Sequence, residues 1–374
     1  MKIAVNIARI LVGALFIFSG LVKAIDPLGL SYKMQEFFEA WAADKYLPSM
    51  MHWFHGHSYL FSIVMITLEV VLGVALLVGW RKKWTLSLLL LLIIFFTFLT
   101  SYVLFSGKIR ACGCFGDCIP LTPVQTFTKD IILLVLALFL IIKQKLITPI
   151  VDNIIPFATV LIATIGVLWL QMYVTKHLPI KDCLPYKVGN DILKLRKMPD
   201  GAIPDKYDYV FVYKKGAEQK DFTADKLPDS TWEFVDRKQT LVEKGKNNIP
   251  LINDFSLTDS SGTDVTEAVL GQPGEYYLFF IKNFDEPTTK WTTGFTNLWE
   301  NAKASNKPIY IITADTKRAN AFFNEQNKYE VPVYSCDATA IKTAARATPT
   351  VFVMKSAVVQ HKYSWADIDK AIKH

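Results

Sequence analysis

The stretch Val124–Ile142, VQTFTKDIILLVLALFLII, decides the fold. Its apolar run is unbroken only from Ile131, and Lys129 and Asp130 near its start would sit at a membrane surface. Four other runs, Ile3–Ile25, Tyr59–Val78, Trp84–Phe105 and Ile154–Val174, each approach the roughly 20 apolar residues that a helix needs to cross about 30 Å of hydrocarbon. With four spans the second half of the chain lies on one side of a membrane, and with five on the other, so charge must arbitrate. Lys2, then Arg81, Lys82 and Lys83, then Lys143 and Lys145 cluster at the N-terminus and in two short connections, as expected for cytoplasmic ends. Five spans with the N-terminus inside satisfy all three clusters.

The chain is two materials joined end to end. Hydrophobic residues make up 51% of it and the mean hydropathy is +0.25, with the excess confined to the first half. On the five-span topology the loops Asp26–Ser58 and Gly107–Thr126, and everything after Val174, lie outside the cytoplasm, so all five cysteines face an oxidising compartment. Arg9 interrupts the first apolar run and more spans follow, so that run is expected to be retained rather than cleaved. The expected location is a bacterial inner membrane with a periplasmic C-terminal half. The net charge of +7 reflects cytoplasmic anchors and a mildly basic second half. No basic stripe interleaved with aromatics points to nucleic acid, so the expected partners are membrane lipid and an extracytoplasmic protein.

Arg9 and Glu69 fall inside spans, where a lone charge costs a few kcal/mol, so each is expected to face the bundle and have a partner. Counting about 1.5 Å per residue from the cytoplasmic ends puts them within about 10 Å in depth, which suggests an Arg9–Glu69 pair. The alternative is that Arg9 reaches the cytoplasmic surface and Glu69 is protonated in a packed core. Between the first two spans, Phe37, Phe38, Trp41, Trp53 and Phe54 read as an interfacial amphipathic segment. His52, His55 and His57 cluster there, but no carboxylate or thiolate is expected nearby to complete a metal site.

The most informative local feature is Cys112-Gly113-Cys114-Phe115-Gly116-Asp117-Cys118, in the loop between the third and fourth spans. Zinc is one reading, but the run supplies three ligands at most and lacks paired Cys-x2-Cys knuckles. Redox exchange is the other: Lys108 and Arg110 favour the thiolate that attacks disulfides, and Asp117 opposes it. Cys183 follows the last span closely enough to pair with a loop cysteine, as a structural clasp or as a transfer step.

The first 145 residues resemble the DoxX and methylamine-utilisation MauE group of four-helix membrane proteins. The resemblance rests on Arg9, Gly13, Ser19-Gly20, Lys23 and Asp26-Pro27, on Glu69, Gly73 and Gly79, and on the Cys112–Gly116 loop. It implies quinone-linked or periplasmic thiol redox chemistry and disulfide formation, with a quinone as the candidate cofactor. The fifth span and the C-terminal half depart from the minimal pattern and resemble longer DoxX-related proteins of Bacteroidetes.

Residues 181–248 alternate charged turns with short strands such as Tyr209–Tyr213 and Trp232–Val235. Beyond them come a hairpin around Phe255–Val265, a strand at Tyr276–Ile281 and a helix at Thr293–Ala304. A strand at Pro308–Thr313, a helix at Thr316–Asn327, the segment Val331–Ser335, strands at Val351–Met354 and Val358–Tyr363, and a helix from Trp365 complete the order. With Thr348-Pro349 before a strand, residues 249–374 resemble the TlpA and peroxiredoxin branch of the thioredoxin superfamily, and Pro349 matches that family's cis-proline. Where the family places Cys-x-x-Cys, this chain has Asn283–Trp291 without cysteine, so the domain cannot run dithiol chemistry by itself. Cys336 reads as a small buried hydrophobe.

The expected architecture is therefore multi-domain. An α-helical transmembrane bundle (four-helix region 1–145, fifth span 146–180) precedes a β-rich linker (181–248) and an α/β thioredoxin-like extracytoplasmic domain (249–374). Two functions fit: a thiol–disulfide relay through Cys112, Cys114, Cys118 and Cys183, or a noncatalytic scaffold in envelope export or assembly whose disulfide is structural. A transporter, suggested by Arg9, Lys23 and Glu69, lacks repeated halves.

Overall fold

In the computed structural model, residues 1–109, 112–148, 154–216 and 218–373 are described. Arg110, expected to favour thiolate, lies outside the described residues.

Five helices are long and apolar enough to span a membrane: α1 (Lys2–Ala24), α4 (Ser58–Val78), α5 (Lys82–Ser106), α6 (Pro123–Ile142) and α7 (Ile154–His177). Large apolar side chains such as Ile10, Leu91, Phe98, Val135 and Ile162 point outward, an arrangement suited to a hydrocarbon solvent and not to water. Two shorter helices, α2 (Pro27–Ala43) and α3 (Pro48–Gly56), fill the aromatic segment between α1 and α4. Asp26 starts α2 by accepting from Gly29 N at 3.1 Å with Pro27 at the first helical position. α6 starts at a capping box in which Thr122 and Gln125 satisfy each other's backbone N–H.

Glycines set the register of α1 against α4. A Cβ on Gly73 would lie 2.8 Å from the Gly13 carbonyl oxygen, and one on Gly20 would lie 2.6 Å from Val70 Cγ2, so the two backbones approach closely. Gly13 therefore lies opposite Gly73 and Leu77, and Gly20 opposite Glu69 and Val70.

The C-terminal half mixes sheets and helices. After α8 (Ile192–Leu195), β1 (Lys206–Lys215), β2 (Glu218–Thr223) and β3 (Glu233–Glu243) form an exposed antiparallel sheet in the order β2-β1-β3. Sequence reading located parts of β1 and β3 but not β2, whose Glu-Gln-Lys-Asp run carries no apolar alternation. Next come α9 (Thr266–Leu270), β4 (Glu275–Ile281), α10 (Thr292–Ala304), β5 (Ile309–Thr313), α11 (Thr316–Asn320) and β6 (Val333–Ser335). The chain ends with α12 (Ala338–Ala344), β7 (Thr350–Lys355), β8 (Val358–Ser364) and α13 (Ile368–Ala371). The sheet order is β6-β5-β4-β7-β8, with β4, β5 and β6 parallel and β7 and β8 antiparallel. β4 is buried on both faces: Tyr276, Leu278 and Phe280 enter one core, Tyr277, Phe279 and Ile281 the other.

Three expected elements differ. The hairpin reduces to one bridge, Thr258–Asp264, because Thr258 also pairs with Ser335 at the sheet edge. The helix expected to run to Asn327 changes to a π turn over Ala321–Gln326, which packs Phe322 and Phe323 onto Trp291. The terminal helix opens as a 3-10 turn at Trp365–Asp367 before α13.

Candidate functional site

Cysteine loop, α2 and C-terminal half meet at one end of the bundle. In the loop, Gly113 and Gly116 adopt φ of +70° and +58°, and Gly116 N donates to Gly113 O at 2.9 Å. Side chains with a Cβ rarely take this conformation, so Cys-Gly-Cys-Phe-Gly is a turn sequence that folds both sulphurs inward. Cys112 and Cys114 are only 7% and 5% exposed, and their Sγ atoms lie 3.3 Å apart in hydrogen-bond contact.

Beneath the two thiols lies a polar network inside the bundle. Lys23 Nζ donates to both Glu69 oxygens at 2.7 and 2.6 Å. Ser19 Oγ lies 2.8 Å from Glu69 Oε1 and 3.0 Å from the Cys114 carbonyl, so its single proton can serve either. On α6, Lys129 pairs with Asp130 at 2.7 Å, and Asp130 Oδ2 accepts from Thr100 at 3.0 Å. The Lys129 ammonium sits 5.1 Å from the centre of the Phe115 ring. Ser19, Glu69, Phe115, Lys129 and Asp130 border a cavity of about 20 Å³, room for about one water. The hydrogen bond with Cys112 lowers the Cys114 pKa, with Lys129 adding to the effect, and the same bond holds Cys112 well above the ordinary thiol value.

The Arg9–Glu69 pair does not form. Arg9 Nε and Nη2 donate to the Leu76 and Leu77 carbonyls at 2.7 and 2.6 Å, and Nη1 donates to Thr148 O at 3.0 Å. Counting from helix ends assumed level ends, whereas the Gly13–Gly73 contact places Arg9 beside the last turn of α4, where Leu76 O accepts from Gly79 N at the cap as well as from Arg9. Glu69 falls opposite Ser19, within reach of Lys23, whose side chain leans back toward the helix N-terminus. Lys129 and Asp130, expected at a surface, turn into the bundle, and Asp130 is 2% exposed. A carboxylate does lie beside the histidines: Glu39 Oε1 is 2.8 Å from His55 Nε2, because α2 and α3 pack together.

Cys118 and Cys183 form a disulfide that joins the cysteine loop to the segment after α7, and both are half-buried rather than enclosed. Cys336 lies in a core, where burial pushes its thiol up to about 12.

Charged groups dock the C-terminal half. Arg346 donates from Nε to Asp26 Oδ2 at 2.8 Å and from Nη2 to Asp117 Oδ2 at 2.9 Å, and its guanidinium covers the Tyr32 ring at 5.3 Å. Lys282, at the end of β4, donates to Tyr32 Oη at 2.9 Å and to the Arg346 carbonyl at 2.8 Å. Burial, with the nearby Arg346 charge, lowers its pKa to about 7. Pro349, joined to Thr348 by a cis bond, follows this contact at the start of β7. Lys362–Asp182 at 2.5 Å and His177–Asp367 at 2.7 Å complete the attachment. Sequence reading missed Arg346, Lys282 and Tyr32, since nothing local marks residues whose partners lie hundreds of positions away. Lys129 and Asp130 did carry a signal, a charged pair within an apolar helix.

Residues 1–143 match the family described as methylamine utilisation protein MauE, and residues 207–244, which cover most of the small sheet, match a domain of unknown function, DUF8463. Protein TlpB of Flavobacterium psychrophilum is 37% identical over 83 residues, 21% of this chain and 23% of that protein. The match thus spans about a quarter of that relative's length. The first 143 residues are a MauE-like membrane region.

Proposed function

We propose that this protein is a thiol–disulfide relay of the bacterial inner membrane, with its N-terminus cytoplasmic and its C-terminal half periplasmic. The observation that carries the reading is the buried Cys112–Cys114 pair, 3.3 Å apart over a network of lysines and carboxylates. The half-buried Cys118–Cys183 disulfide, four residues along the same loop, is the outer exchange point. A cleft of about 300 Å³ bordered by Tyr32, Lys33, Asp117, Lys342 and Arg346 gives a periplasmic partner an approach beside it.

Electrons move inward by exchange. A partner dithiol reduces Cys118–Cys183 and leaves as a disulfide. The Cys118 and Cys183 thiols then reduce an oxidised Cys112–Cys114 bond, which returns their disulfide. Reoxidation of Cys112 and Cys114 releases two electrons and two protons as their S–S bond forms. A membrane quinone, when bound, would supply the two-electron, two-proton acceptor for this reoxidation. An apolar groove of about 730 Å³, lined by residues including Met34, Trp41, Leu68, Leu92 and Phe98, suits such a lipid-soluble molecule. Leu68 and Leu92 border the groove, while their neighbours Glu69 and Ile93 border the cavity beneath the thiols, so the two sites share helix turns.

The C-terminal domain is a thioredoxin-like docking platform without dithiol activity. The order β5-β4-β7-β8, parallel then antiparallel, and the Thr348–Pro349 bond before β7 support that reading. Its face next to Pro349 holds the membrane region instead of a Cys-x-x-Cys.

The test uses purified, reduced full-length protein in lipid nanodiscs with a short-chain quinone, with thiols counted by mass-tagging alkylation. With excess quinone the relay predicts loss of the Cys112 and Cys114 thiols together with those of Cys118 and Cys183, and formation of two quinols per protein. If the Cys112 and Cys114 thiols persist, the second reading gains: a scaffold stapled by Cys118–Cys183 and Arg346, for which the missing Cys-x-x-Cys is the favouring observation.

A further inference from the structure

Lys23 and Asp130 act on both thiols and Lys129 on Cys114, and the three are not equivalent. Lys23 is chelated by both Glu69 oxygens and turned toward the Phe96 ring, 4.7 Å from its centre. Its charge is therefore matched within its own ion pair. Lys129 is held by Oδ1 of Asp130 alone, since Oδ2 accepts from Thr100, and it leans over the ring of Phe115, the residue next to Cys114. Other charges near the loop are farther committed: Lys33 on α2, whose stem approaches Gly113, pairs with Glu36, and Asp117 pairs with Arg346.

We propose that Lys129 is a positioning residue of the dithiol, whose ammonium keeps Cys114 as the exchanging thiolate and leaves the proton on Cys112, with Asp130 setting how strongly it does so. The proposal deepens the relay and rests on Cys112 and Cys114 being a redox pair. The ammonium stands over the ring of the residue next to a sulphur that is 5% exposed, so its field reaches the thiol through protein rather than water. The Cys112–Cys114 hydrogen bond is the largest cause of the downward shift of Cys114 and of the upward shift of Cys112, and Lys129 adds to the first.

The division of roles gives an ordered exchange. Cys114 thiolate attacks a disulfide sulphur, forms a mixed disulfide and displaces the other sulphur as a thiolate. Cys112 then attacks Cys114 Sγ, its proton passing to a displaced sulphur, and the second sulphur leaves. One S–S bond replaces another, and two electrons pass from the pair to the attacked disulfide. The inward relay runs these steps in reverse: an outer thiolate attacks Cys114 Sγ and displaces Cys112, which takes up a proton, and the second outer thiolate then displaces Cys114, the better leaving group, so two electrons pass into the pair.

The experiment follows alkylation of Cys114 by N-ethylmaleimide against pH in the reduced full-length protein, with peptide mapping to separate it from Cys112. Lys129→Gln should raise the midpoint by about one unit or more and slow the reaction at pH 7 about tenfold, the effect of removing one close opposite charge. Lys129→Arg should restore the profile, and Asp130→Asn should lower the midpoint. These opposite signs separate tuning from loosening of the bundle, which would move both variants the same way. An unchanged midpoint in Lys129→Gln, or a common direction in the two variants, overturns the proposal. If the midpoints move as expected while the pair fails to cycle with quinone, Lys129 keeps its role and the relay reading falls.

Discussion

Arg346 Nη2 donates to Asp117 Oδ2 at 2.9 Å, so the residue immediately before Cys118 is held by a side chain from the other half of the protein. The same guanidinium holds Asp26, which starts α2, and covers Tyr32. One side chain thus ties together the cysteine loop, the α1–α2 corner and the C-terminal domain. Arg346→Met leaves Asp26 without its cationic partner and should weaken docking by about 3 kcal/mol, the usual cost of breaking a buried pair by removing one partner. Hydrogen exchange should rise in residues 26–33 and 112–118 while the C-terminal sheet stays protected. Unchanged exchange at both segments would show that docking does not depend on Arg346.

Lys282 gives the docked state a pH dependence. Its pKa is about 7 when docked and near the ordinary lysine value when released, so between those values the released state binds more protons. Stability of the docked state therefore rises with pH from about 7, by up to ~1.4 kcal/mol per unit, and the gain is absent below 7. Tyr32, pushed up to about 12, sets the upper limit, since above pH ~10 its released form loses a proton first. Arg346, Asp26 and Glu286 are the charged groups that face Lys282. Thermal unfolding at pH 6.5, 7.5 and 8.5 should show a steeper rise in the wild type than in Lys282→Met. Parallel curves would contradict this assignment.

Glu69→Leu strands the Lys23 ammonium inside the bundle, at a cost of about 3 kcal/mol, and adding Lys23→Met should recover most of it. Arg9→Gln should give no rescue, because Arg9 binds backbone carbonyls at the end of α4. Melting temperatures in detergent decide between these partners. Rescue by Arg9→Gln alone would restore the pair that sequence depth suggested.

Gly73→Val should disrupt the α1–α4 interface, since even a Cβ would stand 2.8 Å from the Gly13 oxygen and 3.0 Å from the Ile17 nitrogen, neither of which can swing aside. Because this contact sets the register of Lys23 on Glu69, the variant should lose stability and also expose Cys114 to alkylation. Wild-type alkylation at Cys114 would mean that the register does not govern the site.

How much of this was legible in the sequence follows from the range of each interaction. The spans and the strand order in the C-terminal half rest on runs of adjacent residues, so Ile154–Val174 and Tyr276–Ile281 could be read directly. The partner of Glu69 could not, because a backbone approach at Gly13 and Gly73 shifts α1 along α4. Three cysteines within Cys112–Cys118 left the partner of Cys183 open, until the turn at Gly113 and Gly116 buried two of them and left Cys118 for the bond. Arg346 reads as one more basic residue until the fold carries it 229 positions back to Asp117.

The central claim is that Cys112 and Cys114 cycle between dithiol and disulfide. Thiol trapping in intact cells tests it most directly, with a mass-tagging alkylator applied before and after mild reductant and each cysteine mapped. The relay predicts a mixture of reduced and oxidised Cys112–Cys114, and a trapped mixed disulfide when Cys112→Ser removes the resolving thiol. A Cys112–Cys114 pair held in a single redox state, with no adduct in that variant, would contradict the account.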